Sequence, residues 1–477
     1  MTQSASKSEE SLASKSLASN SLASPLDLAL HIVRTLRQSG HIAYFAGGCV
    51  RDQLLGHAPK DYDVATDAEP TVVRKLFKRT QAVGQSFGVV LVRDGSAMVE
   101  VATFRSDGTY DDGRRPNSVS FTTPEFDAQR RDFTVNGLFL DPIPPDNLVA
   151  GDLSLRVIDF VGGQADLKAK LIRAIGRPQD RFAEDHLRMM RAARFAARLG
   201  FTIEPSTAQA VRQNAHKLAR ISPERVGDEL RSVLMSDTRG AGFRMLVELG
   251  LAKVIFRHVP TTPLQSTPLQ STPLSGSSGR SSRPTSLLLD FETPPSNESS
   301  HGPSFGWLLA AMWLEWRQIQ GESSAPAAIA DAVSATARGL RQSLRLSNDE
   351  TDAFVGSMAF ASLVVTPQIG VARLKRFLAA AHGHGALELL VRVGMPDAFA
   401  DHRNQLVQTL SDLKKQGDFN PEPLITGADL IAMGFTPGPA FKRALDDTYD
   451  RQLEGRLGAK ADAIEHARTL LEVASNA

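Results

Sequence analysis

Residues 46–66 read AGGCVRDQLLGHAPKDYDVAT, and this stretch decides the fold. It follows HIAYFA (41–46), an apolar run that reads as a strand. It opens on Gly47-Gly48, whose missing side chains let a backbone turn approach a phosphate closely. Arg51 follows within one helical turn and can add a forked, charge-assisted contact to the same phosphate. Asp61 and Asp63 come a short loop later, two residues apart; on a strand that spacing puts both carboxylates on one face. Two carboxylates together with triphosphate oxygens are what a pair of Mg2+ ions needs to hold a nucleotide and activate an attacking hydroxyl. A lone Gly-Gly is usually a turn and a lone Asp-x-Asp a solvated loop, so the order and spacing carry the reading.

Working outward, Asp27–Gly40 has the apolar spacing of an amphipathic helix, through Leu28, Leu30, Ile32, Val33 and Leu36. GVVLVR (88–93) and MVEVATF (98–104) read as a hairpin turning on Asp94-Gly95. Glu100, in the second of these strands, reads either as a third carboxylate for the site or as a surface residue. Strand signals fade beyond Lys168. Residues 305–477 read as nearly all helical, as in ARLKRFLAAA, GALELLVRV and AIEHARTLLEV. The longest apolar stretch, Phe305–Trp316, is interrupted by Glu315 and is too short for a membrane span.

Two low-complexity stretches punctuate the chain. Residues 1–24 repeat SLAS, lack a secretory apolar core, and are expected to be disordered. Residues 259–304, with TPLQSTPLQSTPL, read as a linker or insert. Fifty-four Lys and Arg against 53 Asp and Glu leave a net charge of +1, which excludes a globally basic nucleic-acid coat. The single cysteine, Cys49, excludes internal disulfides and Cys-based metal clusters and fits a reducing, cytoplasmic setting; it reads as a packing residue. HGHG (382–385) has no upstream His-Asp pair and reads as a helix terminus rather than a metal site.

Further blocks follow in order: RRDFTVNGL (130–138), DFVGGQADL (159–167), EDHLRMMRAARF (184–195) and ERVGDEL (224–230). With the Gly-Gly and Asp-x-Asp stretch, this set resembles the class II tRNA nucleotidyltransferase and bacterial poly(A) polymerase family, a branch of the polymerase β-like nucleotidyltransferases. Gly137 stands where that family usually has Ala. The resemblance implies an α+β chain: a nucleotidyltransferase head of mixed sheet and helices at 25–172, a helical nucleotide-selecting neck at 173–258, and an all-helical tRNA-binding body and tail at 305–477.

The residues of 184–195 support the comparison. Asp185, Arg188, Arg191 and Arg194 recur every three positions, which on one helix would keep them on a single drifting face. An Asp can accept from an exocyclic base amine and an Arg can donate to a ring acceptor, so the pair can read a base edge without a template. The alternative is a solvated, charge-paired helix face. Residues 173–236 hold 12 Lys and Arg against seven Asp and Glu, a local excess suited to an RNA backbone.

The resemblance implies further roles. Asp61, Asp63 and, if it joins them, Glu100 would be catalytic, with Asp61 and Asp63 the Mg2+ ligands. Gly48, Arg51, Arg131, Asp132, Asp185, Arg188, Arg191 and Arg194 would bind nucleotide. RSDGTYDDGRRPNSVSF (105–121) would be the flexible loop, with Arg114 and Arg115. The implied substrates are CTP, ATP and the tRNA 3′ end, with no membrane and no obligatory protein partner. Poly(A) synthesis and partial CC- or A-addition remain the alternatives to full CCA addition.

Overall fold

In the computed structural model, which describes residues 24–82, 88–108, 118–142, 157–260, 303–322 and 325–475, the chain divides into two compact units, 1–221 and 222–477. The boundary falls inside 173–258, the stretch read from sequence as one neck domain. Residues 1–23, Arg114 and Arg115 of the polar loop, and residues 261–302 of the expected insert lie outside the described residues.

The first unit starts with helix α1 (Pro25–Gln38). Its entry is fixed by Ser24 Oγ accepting the Asp27 N–H at 3.1 Å and by Pro25 at the first helical position. Its apolar stripe, Leu28, Ala29, Ile32, Val33 and Leu36, is buried against the sheet. In chain order there follow β1 (Ala43–Ala46), α2 (Gly48–Leu54), β2 (Asp63–Thr66), α3 (Pro70–Leu76), β3 (Thr80–Ala82), β4 (Val89–Asp94) and β5 (Ala97–Thr103). A separate ribbon, β6 (Arg105–Asp107) with β7 (Val119–Phe121), and helix α4 (Pro124–Gln129) precede β8 (Phe139–Leu140) and β9 (Val157–Ile158).

Seven strands form one mixed sheet in the order β3-β4-β5-β2-β1-β8-β9. Within it only β2 and β5 run parallel. Along β5, Ala97, Val99, Val101 and Thr103 are buried while Met98 and Glu100 are exposed, the alternation expected of a half-covered strand. The β4–β5 hairpin pairs Asp94 with Ala97. Its two-residue loop is therefore Gly95-Ser96, not Asp94-Gly95, because Gly95 supplies the positive φ of +57° that the turn needs. The unit closes with α5 (Gly163–Lys168), β10 (Leu171–Ile172), α6 (Pro178–Glu184), α7 (Arg188–Leu199), β11 (Thr202–Ile203) and α8 (Pro205–Asn214).

The second unit is helical: α9 (Pro223–Leu234), α10 (Arg239–Glu248), α11 (Leu251–Ile255), α12 (Phe305–Ile319), α13 (Pro326–Leu344), α14 (Asn348–Ser357), α15 (Phe360–Val364), α16 (Val371–Ala379), α17 (Gly383–Arg392), α18 (Ala400–Gln416), α19 (Gly427–Ala432), α20 (Pro439–Leu453) and α21 (Lys460–Ser475). α9 packs on α10, α12 and α13, which is why 222–258 groups with the later helices. As the apolar run predicts, α12 is a core helix, with every residue from Phe305 to Arg317 buried. α19, α20 and α21 share a small core of Ile425, Leu430, Phe441, Ala444, Ala463, Ala467 and Leu471. HGHG is a packing device: a Cβ on Gly383 would lie 2.0 Å from the Phe377 carbonyl oxygen, and one on Gly385 2.6 Å from the Trp307 ring. Among the described residues no helix is long and apolar enough to cross a membrane.

Candidate functional site

Asp63 opens β2, and its register partner on the parallel strand β5 is Glu100. In-register neighbours share a sheet face, so both carboxylates stand on the same side, and both residues are exposed. Asp61 is not on the strand. It sits in a bend two residues earlier, separated from Asp63 by buried Tyr62, whose ring lies 5.4 Å from that of Phe45. Strand alternation therefore does not align the two aspartates. They are nevertheless close enough to interact. Desolvation and the charge of Glu100 push the Asp63 carboxyl up to about 6; Asp61 adds to this and Arg131 opposes it.

The Gly47-Gly48 turn joins β1 to α2 beside this group. Gly47 has φ +72°, and a Cβ there would sit 2.9 Å from Arg131 Nη1, so both backbone and space demand glycine. Arg131 is fixed from behind: Nε and Nη2 donate to Asp127 Oδ2, Nη1 donates to the Asn136 carbonyl at 3.2 Å, and the guanidinium lies 5.0 Å from the Phe139 ring. Buried Asp127 also takes Arg130. Burial raises its carboxyl, but Arg131 and Arg130 outweigh that and hold it below the usual range.

Two of the expected nucleotide-binding residues are buried and engaged by protein groups. Arg51 is 3 % exposed; its guanidinium pairs with Asp52 at 2.7 Å and donates to Asn136 Oδ1 at 2.6 Å. Arg51 is thus turned inward beneath α2. Asp132 is buried too. Oδ1 accepts from the Phe133 N–H at 2.9 Å and from Asn136 Nδ2 at 3.0 Å, and Oδ2 accepts from Arg191 Nε at 2.8 Å. Burial raises its carboxyl, yet Arg191 and Asn136 hold it low, so it stays a committed acceptor that positions Arg191.

Asp185 and the arginines do not share one helix. α6 ends at Glu184, Asp185 is extended (φ −144°, ψ 107°), and α7 begins at Arg188. Asp185 forms the turn between them: Oδ1 accepts the Leu187 N–H at 3.0 Å and its carbonyl accepts the Arg188 N–H at 3.1 Å. Arg188 is clamped, with Nη1 on Glu184 Oε2 and on the Arg181 carbonyl at 3.2 Å, and Nη2 on the Arg130 carbonyl at 3.1 Å. Arg191 and Arg194 follow on α7 and are partly exposed. Sequence reasoning missed Glu184, Asn136 and Asp127 as the residues that hold the site. The first two lie inside the quoted blocks, where an acid or amide beside invariably charged arginines is the available signal.

Cys49 is buried, with its thiol pushed up to about 11 by burial, which suits packing and not nucleophilic work. Among the described residues no group of three or more His, Cys, Asp or Glu is arranged to hold a metal ion by itself. Asp61 and Asp63 still fit a hard divalent cation: they are oxygen donors in a spot where like charge has accumulated. Mg2+ characteristically takes one or two carboxylates and completes its shell with water and substrate phosphates.

The chain is similar to known proteins in sequence and in fold. Residues 43–173 match the poly A polymerase head domain, and residues 200–261 match a probable RNA and SrmB-binding site of polymerase A. The CCA-adding enzyme of Geobacillus stearothermophilus is 42% identical over 228 residues, 48% of this chain and 54% of that protein, so in this match the chain spans about half the relative's length. That of Limosilactobacillus fermentum is 30% identical over 427 residues, covering 89% of this chain and 92% of that protein. The solved structure of the Bacillus stearothermophilus CCA-adding enzyme in complex with CTP has a TM-score of 0.60 at 27% identity, covering 94% of this chain and 99% of that one. The Thermotoga maritima CCA-adding enzyme complexed with tRNA_CCA, at 18% identity and a TM-score of 0.59 over 94% of each chain, shares the fold.

Proposed function

The chain belongs to the family of class II CCA-adding enzymes and bacterial poly(A) polymerases, and from that premise we propose that it adds CCA to tRNA 3′ ends, taking CTP and ATP without a template. The observation that carries this reading is the pairing of Asp63 with Glu100 across β2 and β5, electrostatically joined to Asp61, beside the Gly47 turn and Arg131. The family generally depends on a divalent metal ion, and Mg2+ is the ion we assign, with Asp61 and Asp63 as ligands. Bound there, Mg2+ would favour the 3′-alkoxide of the tRNA and offset charge on the departing pyrophosphate.

The chain's own residues supply the rest. Arg131, held by Asp127, offers charge beside Asp63. Arg191 and Arg194 face the nucleotide, with Arg51 and Asp132 acting behind them. Asp185 and Arg188 read the base: cytosine and adenine present an amine beside a ring acceptor, whereas uracil and guanine present a carbonyl where that amine would be. Arg114 and Arg115 belong to the loop that closes on the substrate. The helical second unit takes tRNA by shape and phosphate contacts, in a cytoplasmic setting. The names of the curated relatives favour full CCA addition over poly(A) synthesis.

The test is purified protein with tRNA lacking CCA, given CTP and ATP separately and together, with the products sequenced. CC with CTP alone and CCA with both is the expected result. Asp61→Ala and Asp63→Ala should each abolish incorporation in folded protein, and survival of a tenth of the wild-type rate in either would overturn the assignment.

A further inference from the structure

Three guanidinium groups surround one aromatic ring in the first unit. The ring of Phe195 on α7 has Arg194 at 4.4 Å, Arg191 at 5.1 Å and Arg51 at 5.3 Å from its centroid. The ring is buried, and it meets the ring of Phe133 edge-on at 6.0 Å and 76°. Phe133 is fully buried and its N–H is held by Asp132, so the ring against which Phe195 rests belongs to the same network that fixes Arg191. Arg191 precedes Phe195 by one helical turn, while Arg51 arrives from a different helix, α2.

Cations gathered this closely repel one another. Asp52 and Asp132 offset Arg51 and Arg191. What all three arginines share is the ring, whose negative face attracts each of them. A leucine of similar bulk would fill the space without that attraction. The ring also adds no acceptor that would compete with a ligand for the guanidinium N–H groups.

We propose that Phe195 is a positioning residue for the phosphates of the incoming nucleotide: its π face, together with the Asp132 carboxylate that holds Arg191, keeps Arg191 and Arg194 converged beside Arg51 so that they meet a polyphosphate. The proposal rests on the nucleotidyl-transfer reading above, and it adds a residue that never touches substrate.

The experiment separates packing from quadrupole. Phe195→Leu, Phe195→Tyr and a series of ring-fluorinated phenylalanines at position 195 are compared by melting temperature, by kcat and KM for CTP on tRNA lacking CCA, and by inhibition with inorganic tripolyphosphate. Fluorination drains the face of negative charge with little change of shape. Expected is a stepwise rise in KM for CTP with fluorination, about tenfold at pentafluorophenylalanine, with the tripolyphosphate inhibition constant rising in parallel and kcat within about threefold. Phe195→Leu should behave like the fully fluorinated ring, and Phe195→Tyr should restore wild-type KM. Should Phe195→Leu fail to fold, the fluorinated series decides alone. An unchanged KM and tripolyphosphate constant across that series would overturn the proposal. If the wild-type protein itself adds no nucleotide to tRNA, it is the function reading that has failed, and tripolyphosphate binding by direct titration still tests Phe195.

Discussion

At Asp63 the fold keeps a carboxylate where its charge is unwelcome, and that cost is measurable without any substrate. An unfolded Asp titrates near 3.9, whereas desolvation and Glu100 place this one at about 6. With the folded value raised, whatever stability the group contributes is fully present below about pH 4 and is lost as the pH rises through 6. In metal-free buffer Asp63→Asn should therefore raise the melting temperature relative to wild type at pH 7–8 and much less at pH 5. A difference that stays constant from pH 5 to 8 would show that Asp63 carries no such burden. Gly137 tests packing at the same scale. The family usually has Ala there, but a Cβ here would lie 2.7 Å from Val161 Cγ2 and 3.2 Å from Ile175 Cδ1. Gly137→Ala should cost about 1–3 kcal/mol by overpacking. Combined with Val161→Ala it should cost clearly less than the two single changes added together, since the residues are in contact. Strict additivity in urea unfolding would show that the site yields elsewhere.

At the scale of elements, the break between α6 and α7 matters most, because one residue there serves both shape and selection. Asp185 Oδ1 caps the turn into α7 through the Leu187 N–H, and the same side chain is our candidate for reading the base amine. Substitution separates the two roles. Asp185→Asn keeps an oxygen for Leu187 but offers a base an amide in place of a carboxylate; Asp185→Ala loses both. Loss of the cap should cost Asp185→Ala about 1 kcal/mol of stability, and Asp185→Asn much less. Both should lower the ratio of kcat/KM for CTP over UTP, by about ten- to hundredfold, since a mismatched buried acceptor costs about 1–3 kcal/mol. An unchanged ratio in both variants would place base selection elsewhere. The break also shows what was legible in the sequence. The three-residue spacing of Asp185, Arg188, Arg191 and Arg194 suits one continuous helix, and nothing in composition marks Asp185 as extended. The turn arises because its side chain satisfies a backbone donor more locally than a helix would. Likewise the Asp61-x-Asp63 spacing suits a single strand, whereas strand pairing begins only at Asp63. Local spacing does not tell whether Glu100 joins the site, because its place beside Asp63 depends on the parallel register of two strands 37 residues apart.

At the scale of the whole molecule, the strand-rich and helix-rich halves were readable from periodicity, because alternation along β5 and the apolar stripes of α1 and α12 are local properties. The division after Ile221 was not readable. It depends on which neighbours α9 packs against, a long-range choice that no local pattern records. The low-complexity stretch that the chain carries between α11 and α12 is judged from local sequence alone. Residues 262–300 are dominated by Ser, Thr and Pro and carry a five-residue repeat without an apolar face at any helical or strand period. The flanks, by contrast, are tied into the helical unit. A Cβ on Gly339 would lie 2.2 Å from the His258 carbonyl oxygen, so α13 runs directly against the chain just before the insert. Just after it, Ser304 Oγ accepts the Trp307 N–H at 3.3 Å and starts α12. Both of these contacts are made between residues outside 261–302. Replacing 262–300 by a short Gly/Ser linker should therefore leave the melting temperature within about 2 °C of wild type, the order of shift that a few tenths of a kcal/mol produces in a protein of this size. It should leave nucleotide incorporation and tRNA affinity within about twofold. Thermal melts, filter binding of tRNA and single-turnover incorporation on the same preparation provide the check. A loss of soluble protein would mean that the insert folds into the unit, and a large fall in tRNA affinity with an unchanged melt would make it an RNA contact.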